Sequence, residues 1–190
     1  MKRRAAFIDR DGTISEEVGY INHPSRFRVF PYAADAIKLL NDHDWLAIVV
    51  TNQAGVARGY FSEEMIQTVH DKMNQDLEDG GAKLDGIYYC AHHPSVGDEP
   101  YRQDCDCRKP KPGLVNRAAQ ELDIDLANSW MIGDRYSDIE MARNAGLRSA
   151  FVLSGYGRGE WENQRDEWQQ QPDLIAEDLL EAVSKITNIT

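Results

Sequence analysis

The stretch AAFIDRDGTI, residues 5–14, joins a short apolar run to two aspartates that a single arginine separates. Residues 5–8 predict a buried β-strand, and Asp9 and Asp11 follow it at once. Asp and Gly are common turn residues, so a turn is one interpretation. The other is an acid pair at the carboxyl end of a parallel strand, where open α/β sheets bind their ligands.

Length and composition predict a globular protein with one domain over residues 1–190. Hydrophobic residues make up 42% of the chain, which is too many for general disorder. The net charge of −11 argues against nucleic acid as a partner, because that binding requires a basic face. A small phosphorylated substrate met by a few local cations is compatible with this charge.

The N-terminal segment MKRRAAFIDR begins like a signal peptide, but only four apolar residues precede Asp9, so we do not expect one. No apolar run approaches the length that crosses a membrane. We therefore expect a cytoplasmic protein without a membrane partner. We also expect a monomer. Because thiols stay reduced in the cytoplasm, Cys90, Cys105 and Cys107 require an explanation other than disulfides.

Apolar runs alternate with helical patterns along the chain. The predicted strands cover residues 5–8, 46–50, 86–90, 129–133 and 149–153, with a short strand after Pro172. The predicted helices cover about 32–42, 62–80 and 112–122, then one from Ser137 or Asp138 to Gly146, and a closing helix. Residues 155–171 predict a surface loop or a short helix. This alternation predicts an α/β fold, a doubly wound parallel sheet with helices on both faces.

Polar clusters follow three of the predicted strands, namely Asp9 with Asp11, residues 51–53 (Thr-Asn-Gln), and Asp134. The carboxyl ends of parallel strands lie at one edge of a sheet, so a turn explains any one cluster but explains three poorly. Converging carboxylates repel each other unless a cation joins them, and Mg²⁺ suits such a site together with phosphate oxygens. Lys109, in RKPKPG, could neutralise phosphate charge.

Four motifs carry a family resemblance: F-I-D-R-D-G-T, V-V-T-N-Q, the lysine of R-K-P-K-P-G, and G-D-R-Y-S-D. In this order they resemble the motifs of the haloacid dehalogenase superfamily of phosphohydrolases, and with the strand pattern they span about residues 5–155. The resemblance implies a Rossmann-like core. It also implies that Asp9 is a nucleophile that forms an aspartyl-phosphate, while Asp11 protonates the leaving alkoxide and then activates water.

The same resemblance assigns the remaining groups of this site. Mg²⁺ would be held by Asp9, the backbone carbonyl of Asp11, and Asp134. Asp138 would support the metal site without binding the ion itself. Thr51 and Lys109 would bind the transferring phosphoryl group. Arg10, as the neighbour of both acids on an extended chain, is expected to point away from them and to be structural.

Residues 90–107, CAHHPSVGDEPYRQDCDC, interrupt the alternation of strands and helices. Cys90, His92, Cys105 and Cys107 offer four soft ligands as two close pairs, which describes a structural zinc site. The one-residue gaps are tighter than usual, so free thiols and loop histidines are the alternative, and His93 could replace His92.

Within the superfamily this loop resembles that of two small branches without a large cap domain, the heptose bisphosphate phosphatases and the histidinol-phosphate phosphatases. Its twelve-residue middle section and the stretch C-D-C-R-K-P favour the heptose branch, which acts on a sugar phosphate in surface polysaccharide biosynthesis. Histidinol phosphate or another small phosphomonoester is the alternative substrate. The resemblance implies that the substrate is bound by Glu17, Val18, Gly19, Tyr20, Asn52, Gln53, Ala54, Arg108 and Arg135.

Overall fold

The computed structural model describes residues 2–188, and the strands within this range form a single parallel sheet. The strands are β1 (Ala5–Ile8), β2 (Leu46–Asn52), β3 (Gly86–Cys90), β4 (Trp130–Gly133), β5 (Arg148–Val152) and β6 (Leu174–Ala176). Their order is β3-β2-β1-β4-β5-β6, with every pairing parallel. This is the doubly wound order, so the predicted fold class is confirmed.

The helices connect the strands across both faces of the sheet. They are α1 (Ala33–Asp42), α2 (Glu63–Asp79), α3 (Gly113–Leu122), α4 (Tyr136–Ala145), α5 (Gly157–Gln164) and α6 (Leu179–Asn188). The predicted start of α4 at Ser137 or Asp138 is wrong, because the helix begins at Tyr136 with Arg135 as its N-cap. The Asp138 carboxylate accepts the backbone N–H of Arg135 and so fixes the earlier start. None of the described helices has the length and apolarity needed to cross a bilayer.

Strand β1 shows why the central strands are apolar throughout. Ala6 and Ile8 face a core that α1, α2 and α6 cover, whereas Ala5 and Phe7 face a second core under α3 and α4. All four side chains are fully buried. A strand covered on both faces has no position for a polar side chain, so polar residues collect where the strand ends.

Strand register brings three chain segments together at the carboxyl edge of the sheet. Ile8, the last residue of β1, pairs with Val49 of β2 on one side and with Ile132 of β4 on the other. The next residues along each strand therefore emerge at the same level. The point where the strand order changes direction lies between β1 and β4, where doubly wound sheets form their ligand crevice.

The amino ends of the same strands are fixed by Ser129. Its hydroxyl oxygen accepts the N–H of Ala5 at 2.9 Å and donates to the backbone oxygen of Asp125 at 2.6 Å. Replacing Ser129 with alanine leaves the buried Ala5 amide without this partner. We expect the free energy of unfolding to fall by about 1–3 kcal/mol, measured by urea denaturation.

Ser95 provides the control for that substitution, since it is an exposed serine. Alanine at Ser95 should change the free energy of unfolding by less than about 0.5 kcal/mol. Equal losses from the two substitutions would contradict the role given to the Ser129 hydroxyl.

Candidate active site

Two adjoining cavities of about 320 and 290 Å³ open at the carboxyl edge of the sheet. The first is lined by predicted residues from three chain segments: Asp9, Asp11, Thr51, Asn52, Arg108 and Lys109. Glu17 and Arg135 line both cavities. The second adds Gly19, Tyr20, Gln53 and Ala54. Val18 is placed differently, because its side chain packs against the core.

Lys109 lies between two carboxylates at the bottom of the first cavity. Its Nζ is 2.7 Å from Asp9 Oδ1 and 2.7 Å from Asp138 Oδ1, and it also donates to the backbone oxygen of Val50 at 3.3 Å. Burial opposes the charge on Lys109, but the carboxylates of Asp138 and Asp9 outweigh it and raise the pKa of Lys109 above its ordinary value. The ammonium is therefore a fixed positive charge beside Asp9.

Asp9, Asp134 and Asp138 form a buried acidic cluster whose carboxylate oxygens lie within 4.8 Å of one another. Burial raises the pKa of Asp9 to about 7, although Lys109 opposes the shift. Burial, and then the charges of Asp9 and Asp138, raise the pKa of Asp134 well above its usual range. Three carboxylates and one ammonium carry a net charge of −2 when ionised, which a divalent cation would balance.

The oxygen atoms of Asp134 fit a hard cation. Its Oδ2 accepts the backbone N–H of Tyr156 at 2.8 Å, whereas its buried Oδ1 accepts no hydrogen bond from any residue in the described range. The glycines at 12 and 155 keep the space around this carboxylate open, because a Cβ on either would lie 2.2 Å from Asp134 Oδ2. Buried carboxylate oxygens in an open cradle suit Mg²⁺.

Arg10 does not point away from the acids, so that expectation is wrong. Its guanidinium donates from Nε to Asp11 Oδ1 at 3.1 Å and from Nη2 to Asp11 Oδ2 at 2.8 Å. The backbone N–H groups of Ile14 and Ser15 both donate to the Arg10 carbonyl, which shows that the chain turns here. The alternation of an extended strand therefore ends at β1, and neighbouring side chains can face the same side.

Two residues of the loop after β2 contact other site residues directly. Asn52 holds the backbone of Lys109, since its Nδ2 donates to the Lys109 oxygen at 3.3 Å and its Oδ1 accepts the Lys109 N–H at 3.1 Å. Gln53 Nε2 donates to Asp11 Oδ2 at 2.9 Å and to Thr51 Oγ1 at 3.0 Å. Both amides therefore order the groups around the predicted phosphoryl position.

The loop of residues 17–20 forms one wall of the cavities. Glu17 Oε1 accepts the N–H of Gly19 at 2.7 Å, and burial raises the pKa of Glu17. Arg26 holds this loop from outside by donating to the backbone oxygens of Val18 at 2.9 Å and Tyr20 at 3.0 Å.

The four predicted zinc ligands converge. Cys107 Sγ lies 3.2 Å from Cys90 Sγ, 3.2 Å from Cys105 Sγ and 3.4 Å from His92 Nδ1. Tetrahedral zinc with Zn–S bonds of about 2.3 Å separates sulfur atoms by about 3.8 Å, so the thiols of the cluster lie about 0.6 Å closer together than zinc ligands would. His93 faces elsewhere, with Nδ1 accepting the N–H of Ser95 at 3.2 Å.

This cysteine–histidine cluster reaches the cavity through Arg108. The Arg108 guanidinium donates from Nη1 to the backbone oxygen of His92 at 3.3 Å. Arg108 and Lys109 follow Cys107 directly in the sequence. Folding of residues 90–107 around a metal would therefore fix both cations in the lining of the cavity.

Sequence reasoning missed three cavity residues, Gly55, Ser137 and Tyr156. Tyr156 carries the guanidinium of Arg135 above its ring at 4.5 Å, and Glu160 pairs with Arg135 at 2.5 Å. The signal for Tyr156 was its place after β5, at the same sheet edge as the predicted clusters. The signal for Ser137 was its place in the first turn of the helix that follows Asp134.

Comparisons with known proteins agree with this geometry. Residues 106–182 match a family model described as HAD-hydrolase-like. The chain is 41% identical to the D-glycero-β-D-manno-heptose-1,7-bisphosphate 7-phosphatase of Haemophilus ducreyi, over 96% of this chain and 98% of that protein. It is 44% identical to the enzyme of the same name from Photorhabdus laumondii, over 78% of this chain and 79% of that protein.

A solved structure is also similar over nearly the full length. The D,D-heptose 1,7-bisphosphate phosphatase of B. bronchiseptica, in complex with magnesium and phosphate, superimposes with a TM-score of 0.87 at 29% identity. The match covers 98% of this chain and 99% of that one.

Gly12 allows a test of the open space around Asp134. Gly12→Ala introduces a Cβ that must displace the Asp134 carboxylate, on a backbone with a φ of +84°. We expect kcat for a phosphomonoester to fall by at least about 10²-fold, because a catalytic group misplaced by about 1 Å costs that much. Phosphate release in the presence of Mg²⁺ measures it.

Gly146 at the end of α4 is the matched control. It has a φ of +73° and nothing within 4 Å of its would-be Cβ. Gly146→Ala should carry a similar backbone strain and lower the melting temperature, but leave kcat unchanged. Equal losses of kcat in the two variants would show that strain, not displacement of Asp134, disables the site.

Proposed function

The chain belongs to the D-glycero-β-D-manno-heptose-1,7-bisphosphate 7-phosphatase family and is a phosphoric monoester hydrolase, and we propose that it removes the 7-phosphate of D-glycero-D-manno-heptose 1,7-bisphosphate. The observation that carries the proposal is the pair of adjoining cavities with Asp9 and Lys109 in the first and Arg135 shared between them. One phosphate would meet Lys109. The sugar and its second phosphate would extend past Arg108 and Arg135.

We assign the nucleophile to Asp9 and the proton transfers to Asp11. The Asp9 carboxylate attacks phosphorus, the bond from phosphorus to the sugar oxygen breaks, and Asp11 gives its proton to that oxygen. A water molecule then attacks phosphorus of the aspartyl-phosphate, and Asp11 takes a proton from that water. The bond from phosphorus to Asp9 breaks, which releases phosphate and restores the Asp9 carboxylate. Dividing the displacement into two steps lowers each barrier.

Charge balance determines the roles of the surrounding groups. Lys109 sits 2.7 Å from Asp9 and is placed to neutralise the transferring phosphoryl group, with the Thr51 hydroxyl as a further donor. Asp9, the backbone carbonyl of Asp11, and Asp134 would hold Mg²⁺. When bound, Mg²⁺ supplies positive charge beside the phosphoryl oxygens. Asp138 keeps Lys109 in place through its own 2.7 Å contact.

We further propose that the cysteine–histidine cluster holds a structural zinc ion. Residues 91–112 contain no helix or extended strand, and a loop of this kind has little apolar surface to bury. A metal bound by Cys90, His92, Cys105 and Cys107 would supply the folding energy that the loop lacks.

We also expect residues 1–190 to act as one domain, as a monomer in the cytoplasm, in the supply of heptose for surface polysaccharide.

Substrate choice is tested by initial rates of phosphate release with Mg²⁺. D-glycero-D-manno-heptose 1,7-bisphosphate, as the α and the β anomer, is compared with histidinol phosphate. We expect the specificity constant to favour the bisphosphate by 100-fold or more, about 2.7 kcal/mol, and to favour the β anomer that the relatives' names specify. Equal or reversed values would discard the substrate. Asp9→Asn serves as the inactive control.

Zinc is tested by Cys107→Ala. Loss of one thiolate should lower the zinc content measured by metal analysis, and should reduce the free energy of unfolding by several kcal/mol because structural zinc contributes about 10–16 kcal/mol of binding energy. His93→Ala is the control, since His93 lies beside the cluster but contacts Ser95. Unchanged zinc content and stability in Cys107→Ala would refute the zinc site.

A further inference from the structure

Arg10 is a buried cation with a defined set of partners. Its side chain is 2% exposed, although it lies between two residues of the cavity. Its Nε and Nη2 bind the Asp11 carboxylate as a fork, at 3.1 and 2.8 Å. An arginine keeps its charge at any physiological pH, so the fork can hold the Asp11 side chain both before and after Asp11 gives up its proton.

His70 closes the other side of the guanidinium. Arg10 Nη1 lies 3.3 Å from His70 Nε2. Arginine has no acceptor atom, so Nε2 must be the acceptor, and the proton of the neutral ring is on Nδ1. Burial, together with the charge of Arg10, lowers the pKa of His70 to about 3, so the ring stays neutral. Helix α2, which carries His70, thereby holds the Arg10 fork in one orientation.

We propose that Arg10, oriented by His70, is a positioning residue that holds the Asp11 carboxyl group in the orientation needed for proton transfer in the first step. The inference rests on the proposed role of Asp11. When the bond from phosphorus to the leaving oxygen breaks and the Asp11 proton moves to that oxygen, a negative charge is left on the Asp11 carboxylate. The fork of Arg10 lies where it also stabilises this charge.

A purely structural role for Arg10 makes a different prediction. If the ion pair only holds the turn after β1, its loss should slow the cleavage of all substrates by the same factor. If Arg10 acts through the acid, its loss should slow substrates in proportion to their need for a proton. An alkoxide leaving group requires a proton, whereas p-nitrophenolate departs without one.

The experiment compares kcat/KM for glycerol 2-phosphate and for p-nitrophenyl phosphate, in the presence of Mg²⁺. This constant reports the steps up to departure of the leaving group, so hydrolysis of the aspartyl-phosphate does not enter. The proteins are the wild type, Arg10→Lys, His70→Leu and His70→Gln. Arg10→Lys keeps the charge but removes the planar fork.

We expect Arg10→Lys to lower the ratio of the two kcat/KM values, alkyl over aryl, by about 10²-fold, the lower end of what a positioned acid contributes. His70→Leu should lower the ratio in the same direction by a smaller factor. His70→Gln should restore most of it, because the glutamine amide offers an oxygen that can accept from Nη1.

Val69→Ala is the control for a defect in α2. Val69 is buried beside His70 in the sequence, and its apolar side chain cannot hydrogen-bond Arg10. This variant should lose stability but keep the wild-type ratio. If Arg10→Lys does not fold, the two His70 variants decide the question.

The proposal would be overturned if the alkyl-over-aryl ratio of kcat/KM in Arg10→Lys equalled the ratio in Val69→Ala. It would also be overturned if both His70 variants had the ratio of Val69→Ala. Both test substrates are simple phosphomonoesters that need no recognition of a sugar. If the protein did not hydrolyse the heptose bisphosphate, this result could therefore still be interpreted. If the ratio of kcat/KM values did not change, the proposed substrate would not be affected.

Discussion

The site depends on offsetting the electrostatic repulsion among Asp9, Asp134 and Asp138, which lie in one buried cluster. One ammonium, Lys109, is shared by two of them, and the remaining charge of −2 calls for a divalent cation. Adjacent strands β1 and β4 bring two of the acids together. Glycines at 12 and 155 leave the carboxylate of Asp134 the space that a ligand to a metal requires.

A second constraint is that the cations of the site come from a loop with little core of its own. Lys109 is held by Asn52 from the end of β2, and Arg108 by the backbone of His92 within the cysteine–histidine cluster. A metal at that cluster would link the folding of residues 90–107 to the geometry of the phosphate site. Stability and activity would then depend on the same loop.

The sequence predicted the sheet, because β-branched runs covered on both faces have a strong pattern, and it predicted the acid clusters because each follows a strand. It did not predict where side chains point once a strand ends. Arg10 was expected to face away, but the turn after β1 brings it to Asp11. Val18 was expected in the substrate loop, but it packs inward. Tyr156 was missed because the residues directly after β5 include no acidic or amide pair of the kind that marks the ends of β1 and β2.

The most direct test of the account is to trap phosphate on the protein. Asp11→Asn should slow hydrolysis of the aspartyl-phosphate, so the variant is mixed with p-nitrophenyl phosphate and Mg²⁺, quenched in acid, and digested for peptide mapping by mass spectrometry. We predict phosphate on Asp9. Phosphate on another residue, or an unmodified Asp9 peptide during continued turnover, would contradict the mechanism.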